Sequence, residues 1–107
     1  MIDQLLDQKI KTWIDAHREE LLGQWIDLIR IPSARGEEEP GAPYGRASRD
    51  VLDAAVGLYR QAGFSAQVEK DGHYALAEYG EGEKTIGLFG HCDVLAAGDS
   101  WIYTNPF

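Results

Sequence analysis

In the stretch "TIGLFGHCDVLAAGDSW", Thr85 to Trp101, a histidine and an aspartate stand two residues apart, directly after an apolar run that ends at Gly90. Residues i and i+2 of an extended chain point to one side. His91 and Asp93 can therefore face one pocket while Cys92 points away. A histidine that binds a metal usually donates its other ring N–H to a carboxylate, which fixes the tautomer and raises the ring's basicity. An H-x-D triplet can supply that ligand and its orienting group together. A hydrogen-bonded structural histidine accounts for the same three residues. Gly87 and Gly90 leave room for another backbone to approach. Cys92 reads as a small buried hydrophobe, since no neighbouring pattern supplies an activating base. His17, among charges on a helix, and His73, beside a turn, read as surface or structural groups.

The elements that must position the pair run back through the chain. Thr85 to Phe89 is apolar on both faces, which predicts a short strand covered on both sides. Such a strand delivers the next side chains to the C-terminal edge of its sheet, where ligand sites of open α/β sheets collect. Before it, "FSAQVEK" alternates through Phe64, Ala66 and Val68, Asp71-Gly72 signals a hairpin, and "HYALAEY" is the return strand. "GEGEK" is the turn into the third strand.

Two helices precede the strands. Leu6, Ile10, Trp13, Ile14, Leu21, Leu22, Trp25, Ile26 and Ile29 recur at helical spacing, and Pro32 stops that helix. "SARGEEEPGAPYG" is a loop, and its Glu37-Glu38-Glu39 run reads as a solvated connection. Val51, Leu52, Ala55, Leu58, Tyr59 and Ala62 form one face of a second helix, with Gly63 where a C-terminal cap belongs. A layered α/β domain needs helices on both faces of its sheet. Two helices and three strands over residues 1–107 therefore read as the N-terminal portion of an α/β/α catalytic domain, incomplete as it stands.

Composition narrows the partners. The 107 residues carry a formal net charge of −8, with 44% apolar and 26% charged residues. An acidic surface argues against nucleic acid or an anionic membrane as the main partner. A single cysteine cannot close an internal disulfide, which fits a reducing compartment. The opening "MIDQLLDQKIKTWID" lacks the apolar core of a signal peptide, so the expected location is the cytoplasm.

"IGLFGHCDVLAAGDSWIYTNPF" resembles the start of the metal site in the co-catalytic zinc peptidases, the family of carboxypeptidase G, aminoacylase, succinyl-diaminopimelate desuccinylase, carnosinase and the PepV-type dipeptidases. The likeness lies in Gly90, His91, Asp93, Val94, Gly98, Trp101, Pro106 and Phe107; Leu95 and Ala96 depart from the family's usual Val and Pro. Upstream, "WIDLIRIPSARGEEEPGAPYGRASRDVLDAAVGLYRQAGF" is similar to the family's opening, and "GAPYG" with the following helix start resembles the dipeptidase branch.

The resemblance implies roles. His91 would ligate one of two zinc ions, with Mn2+ or Co2+ as substitutes, and Asp93 would be the catalytic-site aspartate holding that imidazole. The bridging carboxylate, the general-base glutamate and the second histidine of the family have no matching position in these residues. The implied reaction is hydrolysis of a dipeptide or an N-acyl amino acid by metal-activated water. The 107 residues alone are expected to be inactive and to self-associate through exposed apolar surface. An N-acyl amino acid deacylase of the same family, and a small non-catalytic α/β module with a coincidental H-x-D, are the alternatives.

Overall fold

The structure, a computed structural model, describes residues 3–107. Helix α1 spans Gln4–Ala16 and starts at Asp3, whose carboxylate accepts the Leu5 N–H at 2.9 Å. The first apolar stripe makes two helices, for α2 begins at Arg18 and runs to Ile29. His17 is the break. Its Nδ1–H donates to the Trp13 carbonyl at 2.8 Å, and its ring stacks on Trp13 with centroids 4.0 Å apart. The imidazole thus joins the backbone in claiming that carbonyl, and His17 leaves helical geometry at φ −108° and ψ 12°. Pro32 lies just beyond the end of α2, as expected of a residue without an amide donor.

The connection between α2 and α3 (Arg46–Gln61) is exposed along Glu37-Glu38-Glu39, as expected, and is held by hydrogen bonds of its own. Glu39 and Ala42 exchange both backbone hydrogen bonds, at 3.1 and 2.9 Å, around Pro40-Gly41. Arg46 pairs with Glu39 at 3.1 Å, and Arg49 donates to the Gly41 carbonyl at 2.8 Å. Ala42 is buried by these contacts.

Helix α3 carries the core. Ser48, Val51 and Ala55 are buried along it at three- and four-residue steps, with Val56 beside Ala55. Its end has the geometry that the "AGF" sequence predicts. Gly63, at φ +91°, lets the chain turn back; its N–H reaches the Arg60 carbonyl and the Phe64 N–H reaches the Tyr59 carbonyl, each at 3.0 Å. The Tyr59 and Phe64 rings close the same turn edge to face, 5.1 Å apart.

Strands β1 (Ser65–Val68) and β2 (Ala75–Glu78) pair antiparallel, with Val68 opposite Ala75 and Ser65 opposite Glu78. Ala66 turns inward onto α3, and Arg60 donates to its carbonyl at 2.8 Å. The Asp71-Gly72 hairpin forms where expected. Gly72 sits at φ +85°, and a side chain there would strike the Gly41 carbonyl, so the hairpin tip packs directly on the α2–α3 connection.

The fold is mixed α/β, as expected, with three helices and two strands described in place of two and three. Thr85 to Phe89 forms no strand, and Leu88 and Phe89 are 94% and 100% exposed. A strand apolar on both faces needs paired neighbours and a layer on each side. Among the described residues the only sheet is the β1–β2 pair, and Gly80 and Gly82 carry the chain away from it at positive φ. The apolar residues of α1 and α2 are likewise uncovered: Trp13 is 54% and Trp25 63% exposed, and neither helix has a buried residue. Among the described residues, no helix is long and apolar enough to cross a membrane.

Candidate metal-ligand site

His91 and Asp93 lie in extended, irregular chain rather than at a strand end. They nevertheless meet as their spacing requires. Nδ1 of His91 is 3.1 Å from Asp93 Oδ1 and 3.1 Å from the Asp93 backbone oxygen. Both neighbours are acceptors, so the proton belongs on Nδ1, which donates to them. The neutral ring then carries its lone pair on Nε2. The two side chains are 82% and 69% exposed. At that exposure the pair contributes no more than about 1 kcal/mol to folding. Its consequence is orientation: the ring is held from one nitrogen and open at the other.

Cys92, between them, is half-buried. Its carbonyl accepts the Ser33 hydroxyl at 2.8 Å, and the Val94 N–H donates to the Ser33 carbonyl at 3.4 Å. Burial first, and the neighbouring Asp93 carboxylate second, push the Cys92 thiol above its ordinary value. The thiol is then neutral at physiological pH, in keeping with a packing role. We expect iodoacetamide to label Cys92 at pH 8 more slowly than it labels free cysteine, because the thiolate is the reacting form. Labelling as fast as free cysteine would contradict the placement.

A second group was not legible as a site. Ligand atoms of Glu69, Asp71 and His73 all lie within 4.8 Å of one another. By distance this group could hold a metal ion. Its hydrogen bonds also explain it as the closure of the hairpin. Glu69 accepts the Asp71 N–H at 3.0 Å, the His73 N–H at 3.4 Å and the His73 Nδ1–H at 3.3 Å. The Asp71 N–H foremost, with His73 adding to it and slight burial opposing, holds the Glu69 carboxyl below its usual range. A depressed carboxyl favours the folded turn above the ordinary carboxylate range, and that contribution is lost as pH falls through the lowered value. The i, i+2, i+4 spacing of Glu69, Asp71 and His73 is the sequence signal that could have found the group. His17 and His73 are both accounted for by local contacts, to Trp13 and to Glu69. Of the Glu37-Glu38-Glu39 run, Glu39 is paired with Arg46. No hydrogen bond or ion pair joins these groups to His91 or Asp93 among the described residues.

An imidazole held at Nδ1 and open at Nε2 has the chemistry that metal coordination requires, and over most of its length the chain is similar to proteins named dipeptidases. It is 33% identical over 92 residues to "Putative dipeptidase YtjP" of Bacillus subtilis, covering 84% of this chain and 19% of that protein. It is 33% identical over 102 residues to a "Putative dipeptidase" of Staphylococcus epidermidis, covering 94% and 20%. Against the "Beta-Ala-Xaa dipeptidase" of Lactobacillus delbrueckii subsp. lactis it is 29% identical over 105 residues, covering 95% and 22%. The chain thus spans about a fifth of the length of the curated relatives it matches. No family model and no solved structure matches it.

Proposed function

We propose that these 107 residues are the N-terminal segment of the catalytic domain of a cytoplasmic, zinc-dependent dipeptidase of the PepV type, and that they supply one zinc ligand, His91. The observation that carries this reading is the hydrogen bond from His91 Nδ1–H to Asp93, which leaves Nε2 open, in a chain whose relatives are named dipeptidases. The residues present fit a metal. His91 offers a neutral imidazole nitrogen, and Asp93 holds the ring and strengthens it as a donor. Zinc bound there would lower the pKa of a water molecule and polarise the scissile carbonyl.

The part this chain plays follows from its own groups. Asp93 keeps the proton on Nδ1, so Nε2 remains a lone-pair donor while the ring is neutral. Metal ligands must be deprotonated to bind, so zinc binding and activity are expected to fall in acid. One imidazole does not make a catalytic zinc site, which takes about three protein ligands. The remaining ligands and the general base therefore belong to residues beyond this segment.

Free dipeptides are the proposed substrates, on the strength of the relatives' names and of the "EPGAPYGRASRDVLD" loop and helix start, Glu39 to Asp53. The test compares unblocked dipeptides, their N-acetylated counterparts and N-succinyl amino acids on the protein at its full natural length, with zinc or manganese. The expected result is a higher kcat/KM on at least one free dipeptide than on every blocked substrate. The reverse order would overturn the dipeptidase reading in favour of an N-acyl amino acid deacylase.

A further inference from the structure

The segment that presents His91 has little to hold it. From Gly80 to Phe107 the chain forms no helix or strand, and most of its residues are exposed. Among the described residues, two hydrogen bonds tie this segment to the rest of the protein, and both go to Ser33. The Ser33 hydroxyl donates to the carbonyl of Cys92, the residue between His91 and Asp93. The Ser33 carbonyl accepts the N–H of Val94, the residue after Asp93. Ser33 thus grips the peptide units on either side of Asp93.

Ser33 is itself anchored. It is 1% exposed, in the turn after Pro32, and its N–H donates to the Ile31 carbonyl at 2.8 Å. The Ser48 hydroxyl, buried on α3, donates to the Ser33 carbonyl at 3.2 Å. A continuous path therefore runs from the one well-packed helix, through Ser48 and Ser33, to the backbone that carries His91 and Asp93. A buried serine has no apolar reason to sit there. Its donor and acceptor are both used, and both face the H-x-D segment.

We propose that Ser33 is a positioning residue for the metal site: it fixes the His91–Asp93 backbone against α3, so that the imidazole is presented to the metal in one place. Ser48 supports it by holding the Ser33 carbonyl. The proposal rests on the reading of His91 as a zinc ligand and names what sets that ligand's position. Ser33 touches neither metal nor substrate. Its loss acts through the freedom of the segment, because a ligand must be held within a narrow range of geometry to bind well.

Zinc affinity of the metal-free protein at its full natural length, measured by competition with a chromophoric chelator, is the direct readout, alongside its thermal midpoint without metal. Ser33→Ala is expected to weaken zinc binding at the His91 site about 10-fold, at the low end of the range for groups that hold a metal's ligands. Ser33→Thr, which keeps the hydroxyl, is expected to recover most of that loss. In the His91→Ala background, Ser33→Ala should change the affinity of the remaining site by less than about 2-fold, since the two act through one ligand. A folded Ser33→Ala protein with parental zinc affinity, while His91→Ala loses one zinc, would overturn the positioning role and leave the ligand reading standing. Full zinc content in His91→Ala would overturn both. If Ser33→Ala does not fold, Ser48→Ala decides: a loss of about 3-fold supports the path, and unchanged affinity overturns it.

Discussion

His91→Ala, in the protein at its full natural length, is expected to bind one zinc fewer than the parent and to lose dipeptide hydrolysis by well over 100-fold. The magnitude follows from the ligand's place. Changing a group that merely orients a metal ligand costs about 10–100-fold in metal affinity or activity. Removing the ligand itself should exceed that range, because alanine offers no donor in its stead. Asp93→Asn separates the two roles. It keeps the side chain's size and an acceptor oxygen but removes the charge beside the His91 N–H. The expected loss is about 10–100-fold in zinc affinity, with one zinc still bound at saturation. Zinc counted by elemental analysis, together with kcat/KM on a free dipeptide, distinguishes these outcomes. Unchanged zinc stoichiometry in His91→Ala would remove His91 from the site.

The second large effect concerns the 107 residues by themselves. Purified alone, they are expected to show no zinc-dependent dipeptide hydrolysis above the metal-only background. One histidine with one exposed aspartate falls short of the roughly three ligands that a catalytic zinc needs. The same chain is expected to self-associate. The apolar residues of α1 and α2, with Ile86, Leu88 and Phe89, lie open to solvent, and exposed apolar area on this scale drives association. Sedimentation and an environment-sensitive dye give the second readout. Hydrolysis by the pure segment would refute the first expectation, and a compact monomer that binds no dye would refute the second.

The parts of the fold that were legible in the sequence are those governed by local rules. Pro32 ends α2 because it lacks an N–H. Gly63 ends α3 because only glycine enters that turn freely. Asp71-Gly72 reverses the chain because the hairpin needs a positive φ at the glycine. The break at His17 was not legible, since it arises from a side chain competing for the carbonyl four residues back and stacking on Trp13. The third strand failed for a non-local reason. Apolar residues at Thr85 to Phe89 state a preference for burial, but a strand exists only if another strand pairs with it.

The candidate site divides in the same way. The meeting of His91 with Asp93 follows from two-residue spacing in extended chain, so it survives the loss of the expected strand. Ser33 stands 59 positions from Cys92, and no periodicity connects them. What the sequence does offer is a serine directly after Ile31-Pro32, at a place where a polar side chain ends up buried. The Glu69, Asp71 and His73 group was hidden by its own hairpin, since Asp71-Gly72 reads first as a turn.

The central claim is that this chain presents a metal ligand for dipeptide hydrolysis. Its most direct test strips the metal from the protein at its full natural length with a chelator, then follows hydrolysis of an unblocked dipeptide as zinc is added back. Hydrolysis is expected to vanish with the metal and to return with zinc in the parent, with no such return at the same zinc concentrations in His91→Ala. Undiminished hydrolysis after metal removal, or equal recovery in parent and His91→Ala, would contradict it.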